Sequence, residues 1–225
     1  VEHDTITVKP GDLPNPGDKK PGNPDKKPGD KTPKTDITYN DLHKAMTRTI
    51  NVTDPHTGLK TTKVTLNYER TATIDDVTGK VTYGNWTVAE GSKAGFDGFN
   101  VPAVPGYTSE IKSGSAADLK ALTPNQDQIT NWTDQTVDID YTANDQTGAI
   151  TYVDREGNTI DTTPLTGKTD DNVTINPVAP AGWKIIAGQQ IPTTVKATAN
   201  GIQGPSILVE HDTITVKPGD LPNPG

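Results

Sequence analysis

Apolar and polar residues alternate with a period of two through most of the chain. In residues 46–53, Met46, Arg48, Ile50 and Val52 fall on one side and Thr47, Thr49 and Asn51 on the other. This pattern predicts a strand with one buried face. Residues 62–74 alternate again, through Val64, Leu66, Tyr68 and Ile74. Asp54-Pro55-His56-Thr57-Gly58 and Asp75-Asp76-Val77-Thr78-Gly79 read as turns, where Asp bonds its own backbone and Gly supplies positive φ. Val81-Thr82-Tyr83 resumes the strand pattern, and Trp86 follows. Residues 116–131 offer only a helical segment at 118–122, stopped by Pro124. Residues 136–141 (TVDIDY) form a further strand. A second group then begins with a strand at 149–153, a turn at 154–158, short strands at 172–176 and 183–186, and a closing strand at 206–216.

The two groups parallel each other. Ile50-Asn51-Val52-Thr53-Asp54 corresponds to Ile150-Thr151-Tyr152-Val153-Asp154. The corner at Pro105-Gly106-Tyr107 corresponds to Pro180-Ala181-Gly182-Trp183, and Val137-Asp138-Ile139 to Ile207-Leu208-Val209. The expected architecture is therefore two related small domains of mainly β, α+β type, covering 36–145 and 146–217.

A larger repetition frames them. Residues 1–17 (VEHDTITVKPGDLPNPG) recur unchanged as residues 209–225, 208 positions later. The chain reads as one period of a tandem array, cut slightly past its boundary. Residues 1–9 are then the closing strand of a preceding repeat, expected to be an orphan, mobile or paired with some sheet edge. Residues 218–225 start the next linker. Residues 10–35 lack apolar periodicity and repeat Pro, Gly, Asp and Lys, which predicts an extended linker reaching about 80 Å.

Composition sharpens this picture. Hydrophobic residues make up 30% of the chain and aromatics 5%, against roughly 45–50% apolar in ordinary domains, so the cores must be small. Threonine supplies 36 residues, which favours strands. Cysteine is absent, which excludes disulfides and thiolate chemistry and suits a Gram-positive surface protein better than a disulfide-stapled secreted module. Net charge is −8; residues 10–35 carry six lysines and four aspartates, so the remainder stands at −10. Nucleic acid is excluded as a partner, since phosphate binding needs a basic face. With no run of eighteen apolar residues, membrane insertion through a helix is not expected.

The chemistry points away from catalysis. Four histidines have no metal-ligand spacing, five serines sit in no nucleophile elbow, and no phosphate-cradling glycine loop occurs. No catalytic residue, cofactor or metal is assigned. The oxygen-rich loop Asp154, Glu156 and Asn158 is the candidate for Ca2+, although turn chemistry accounts for it better, given how many ligands Ca2+ requires. Sugar-stacking candidates are Trp132, expected to be exposed after the polar run 125–131, with its neighbour Asn131, and Tyr107. Trp86 and Trp183 read as core anchors that could also serve.

At several landmarks the sequence resembles a known family. Asp41-Leu42, Thr47-Arg48-Thr49-Ile50, Arg70-Thr71-Ala72-Thr73 and Val81-Thr82-Tyr83-Gly84-Asn85-Trp86-Thr87 occur in order with the Pro-Gly-Tyr corner, the ITYVD start and HDTITVKP. Together they are similar to the Mub-type, MucBP-like mucus-binding repeat of lactobacillus surface adhesins, over residues 37–217. The resemblance implies two tandem β-grasp (ubiquitin-like) domains in an elongated, monomeric repeat of a cell-wall-anchored extracellular adhesin. It implies mucin glycoproteins, through their O-glycans, as partners. The alternatives are an immunoglobulin-binding module or a passive spacer.

Overall fold

The protein is described by a computed structural model covering residues 1–224. It is mainly β, with two short α-helices, and divides into two compact units. The first comprises Val1–Val101 and Glu110–Asp140; the second comprises Pro102–Ser109 and Tyr141 onward.

The first unit begins with β1 (Thr5–Val8), β2 (Lys19–Lys20), β3 (Ile37–Thr38) and α1 (Tyr39–Leu42). The hairpin β4 (His43–Asp54) and β5 (Gly58–Glu69) follows, then β6 (Ala72–Asp75), β7 (Val81–Tyr83), β8 (Thr87–Val88), β9 (Tyr107–Ser113), α2 (Gln126–Thr130) and β10 (Gln135–Ala143). The chain crosses between the units within β9 and within β10. The main sheet has the order β8-β5-β4-β10-β9, and β10 runs parallel to β4 with Val137 opposite Ile50. The hairpin forms where alternation predicts it. Its turn is set by Asp54 Oδ1, which accepts from the His56 and Thr57 amides, and by Gly58 at φ 88°.

Two apolar clusters hold this unit. Met46, Leu66, Tyr68, Trp86, Phe96 and Ile129 form one; Val8, Leu13, Ile37, Leu42, Ala72 and Ile74 form the other. Each fully buried large side chain contributes about 1.5–3 kcal/mol. Arg48 occupies an inward position of β4 and is buried. It donates through Nε to Gln135 Oε1 (2.9 Å) and through a terminal nitrogen to the Lys120 carbonyl (2.7 Å), and its guanidinium lies 4.5 Å from the Phe96 ring centre. Desolvation lowers its pKa, but the hydrogen bonds satisfy the charge, as a buried cation requires.

The second unit contains β11 (Asp145–Val153), β12 (Thr159–Lys168), β13 (Asn172–Thr174), β14 (Trp183–Ile185), β15 (Thr194–Lys196) and β16 (Ser206–His211). Its sheet order is β12-β11-β16-β14, and β16 runs parallel to β11 with Ile207 opposite Tyr152. Each unit thus pairs a starting hairpin with a parallel final strand. The strand after each Pro-Gly-aromatic corner lies beside that final strand, as the internal correspondence of sequence requires. The core gathers Ile150, Tyr152, Leu165, Ile175, Ile207 and Val209.

Of the alternatives for residues 1–9, the structure takes pairing with a sheet edge: β1 pairs antiparallel with β6, Ile6 opposite Ile74, and Val8 is buried. Three expectations are corrected. The closing strand of the second unit ends at His211, not at residue 216. Residues 10–35 are not an extended spacer. Leu13 and Pro33 are buried, β2 pairs with β3, Asn23 N–H donates to the Pro33 carbonyl (2.6 Å), and the Lys26 ammonium donates to the Asp76 carbonyl (2.7 Å). These long-range contacts fold the segment onto the first unit despite its lack of local periodicity. Finally, residues 116–119 form only a 3-10 turn, and the α-helix lies after Pro124, at Gln126–Thr130.

Candidate functional site

Thr38-Tyr39-Asn40-Asp41 turns the chain from β3 into α1. The Thr38 amide donates to Asp41 Oδ2 (2.8 Å), the local bond that starts a helix at such a sequence. One helical turn then places Tyr39 and His43 four residues apart on the same side. Their rings stack with centroids 3.9 Å apart and planes 12° from parallel. His43 Nε2 lies 2.9 Å from the Leu13 carbonyl oxygen and 3.1 Å from that of Pro10. Both partners accept only, so Nε2 carries the proton, and the ring is fixed by the segment preceding β2. Its Nδ1 side faces Glu69 at 3.7 Å.

The stacked pair borders an open cleft of about 320 Å³, completed by Asn40, Lys44, Asn67, Tyr68, Glu69 and Glu90. Tyr68 forms part of the floor. It is buried, its hydroxyl donates to the Ala94 carbonyl (2.7 Å), and burial raises its pKa. The cleft combines flat aromatic surface with exposed carboxylate and amide groups at Asn40, Asn67 and Glu90. Such a surface stacks against an apolar sugar face and accepts hydrogen bonds from its hydroxyls.

The second unit has a comparable cleft of about 300 Å³, lined by Asp154, Arg155, Glu156, Trp183, Glu210 and His211. Trp183 and His211 meet at 4.3 Å with a 57° tilt. Arg155 and Lys184 lie 3.5 and 3.7 Å from the Glu210 carboxylate, in exposed pairs of small energetic weight.

The sites expected from sequence fall as follows. Trp132 is not an exposed ring; it packs against the Met46–Leu66 cluster and stacks on Phe96 at 5.6 Å. The physical reason is α2, whose residue Ile129 enters the same core and draws the following chain inward. Asn131 is exposed at the end of α2. Tyr107 belongs to the second unit, where its hydroxyl donates to Asp170 Oδ2 (2.5 Å). In the loop proposed for Ca2+, Asp154 Oδ1 accepts from the Glu156 and Asn158 amides (3.1 and 2.8 Å), and Asp154 Oδ2 accepts from the Asn158 side chain (3.0 Å). These bonds, the Asn158 side chain first, lower the Asp154 pKa. No group of three or more His, Cys, Asp or Glu residues that could hold a metal ion occurs among the described residues. Sequence reading missed Tyr39 and His43 as a pair; the Thr-x-x-Asp signature before Leu42 was the signal that locates them.

Residues 37–145 match the Muc B2-like domain family. Among solved structures, Mub-RV is 27% identical over 45% of this chain and 53% of its own length, at a TM-score of 0.32. The MucBP domain of the adhesion protein from Pediococcus pentosaceus is 31% identical over 44% of this chain and 98% of its own length, at a TM-score of 0.30. The chain therefore spans about half of Mub-RV and nearly all of that MucBP domain. No curated protein matches the chain.

Proposed function

The chain belongs to the Mub-type, MucBP-like family of mucus-binding repeats, and from that premise we propose that it is a non-catalytic adhesin repeat that binds mucin through its O-glycans. The observation that carries this reading is the Tyr39–His43 stack beside the Asn40, Glu69 and Glu90 side chains in an open cleft. A shallow, solvated site of this kind holds one sugar weakly. Repetition along an array raises avidity without new contacts. The repeat acts outside the cell, on the surface of a Gram-positive bacterium and anchored to its wall. Each unit is read as a β-grasp variant, which the hairpin and parallel final strand of each sheet support.

The test is retention on immobilised mucin before and after enzymatic removal of O-glycans, with the variant Tyr39→Ala in parallel. Aromatic stacking is worth about 0.5–1.5 kcal/mol, so Tyr39→Ala should weaken binding about two- to thirteenfold while the unfolding midpoint shows the fold intact. Asn131→Ala and Tyr107→Phe report on the candidates read from sequence. Unchanged binding by Tyr39→Ala, or binding that survives deglycosylation, rejects the assignment.

A second reading has its own observation. β8 covers Tyr68 and Glu69 of β5, and Ala89 and Ser92 bond the backbone of Asn67, while the stretch 58–66 pairs with β4 alone and presents Leu59 at 65% exposure. An open edge of this length supports strand addition by an immunoglobulin. Binding of aglycosylated Fab, with no mucin signal, would favour it.

A further inference from the structure

The two copies of the seventeen-residue segment have the same sequence and opposite structures. In the first copy, Val1-Glu2-His3 is outside any strand, whereas Thr5–Val8 forms β1, with Val8 3% and Leu13 6% exposed. In the second, Val209-Glu210-His211 is strand β16 with Val209 fully buried, whereas residues 213–216 lie outside any strand. There Ile214 is 90%, Val216 61% and Leu221 64% exposed. Apart from the turn at residues 10–12 and 218–220, which both copies form, the part of the segment that is ordered in one copy is the part that is bare in the other.

The boundary between the two halves is a single residue, Asp4 in the first copy and Asp212 in the second. The Asp212 amide donates to the Gly182 carbonyl (2.9 Å), and the Asp4 carbonyl accepts from the Asp76 amide (2.9 Å). One aspartate can make both bonds at once, since they use opposite ends of its backbone. Neighbouring histidines are equally compatible. His211 meets the ring of Trp183, and His3 donates from Nδ1 to Asp75 Oδ2 (2.8 Å).

We propose that this segment is shared by consecutive repeats: residues 209–211 close the second unit of one copy, and residues 213–221 are β1 and its anchoring leucine in the first unit of the next copy. The occupant of the exposed apolar stripe Ile214, Val216 and Leu221 is thus a second copy of this chain. Its receiving surface is the β6 edge and the cluster of Ile37, Leu42, Ala72 and Ile74, which the first copy already shows filled. The register follows directly, with Thr213 opposite the next Asp75 and Val216 opposite the next Ala72. The second copy is also preshaped for the task. Lys9 and Lys217 have the same backbone angles, φ −96°, ψ 155° and φ −97°, ψ 155°, and each amide donates to the aspartate three residues on, at 2.8 and 2.9 Å. Preorganisation lowers the ordering cost of docking. Consecutive repeats then meet without a free residue between them, by strand addition in cis.

The experiment compares hydrogen exchange in the full chain with that in a two-period chain, made by continuing residue 225 into a second copy of residues 18–225. In the single chain, residues 5–8 should be protected and residues 213–216 should exchange fast. In the two-period chain the central 213–216 amides should slow by at least about tenfold, to the level of residues 5–8. Val216→Asp in the central copy should abolish this gain while Ser206–His211 stay protected, which shows that the upstream repeat still folds. Central amides that exchange as fast as in the single chain, or protection indifferent to Val216→Asp, overturn the proposal and make residues 212–225 a tether.

Discussion

Asp75 shows how a single side chain can set the condition under which a terminal strand is held. His3 donates to its Oδ2, and its Oδ1 accepts from the Val77 and Thr78 amides at 2.8 and 3.0 Å. These bonds, the His3 side chain first, pull its pKa from 3.8 down to about 2. Folding therefore favours the ionised form. The contribution is complete above about pH 4 and is lost as pH falls from there towards 2. Because the group is partly exposed to solvent, its weight is local, at the β1–β6 pairing. Acid titration followed by hydrogen exchange of residues 5–8 should show protection falling across that window. His3→Ala should flatten the dependence without removing it, since the two amides remain. A protection profile level from pH 5 to 2 would contradict the assignment.

At the scale of elements, the approach of β11 to residues 202–204 rests on the absence of two side chains. A Cβ on Gly204 would stand 1.7 Å from the Ala149 carbonyl oxygen, and one on Gly148 would stand 1.9 Å from that of Ile202. Neither clash can be relieved by a side-chain rotation, because backbone lies on the other side. Gly204→Ala should destabilise the second unit by about 3 kcal/mol or more, read as a lowered urea midpoint for probes in that unit. Such a requirement is invisible in the sequence, where both glycines fall just outside the strands expected at 149–153 and 206–216. The hairpins were legible, because alternation and turns that open on Asp and close on Gly are local signals that survive folding. Helix α2 was not. Pro124 reads as a stop, whereas Asn125 and Gln128 exchange bonds at 2.8 and 2.9 Å and start a helix just beyond it. The fold of segment 10–35 is hidden from local pattern for a different reason. Its few anchors, Leu13, Lys26 and Pro33, find partners far along the chain, and composition cannot register contacts of that range. The cleft at Tyr39 and His43 was half legible, through the helix-start signature that sets their spacing.

For the molecule as a whole, the net charge of −8 bears directly on which glycans the proposed site would hold. Mucin O-glycans end in neutral sugars or in sialic acid and sulfate, and an acidic protein repels the anionic ends. Part of that repulsion is long-range and fades beyond a Debye length of about 8 Å at physiological salt. Another part is local, because Glu69 and Glu90 sit in the cleft itself, and salt screens it less. Removing sialic acid from mucin should therefore strengthen binding, most at low ionic strength, with a smaller preference persisting at about 0.5 M salt. Glu90→Gln should reduce that residual preference, since it removes a charge while keeping an acceptor for sugar hydroxyls. Parallel retention assays on native and sialidase-treated mucin over a salt series separate the two parts. If desialylation instead weakened binding, an anionic sugar would be the ligand. The acidic cleft of the first unit would then give way to the one lined by Arg155 in the second.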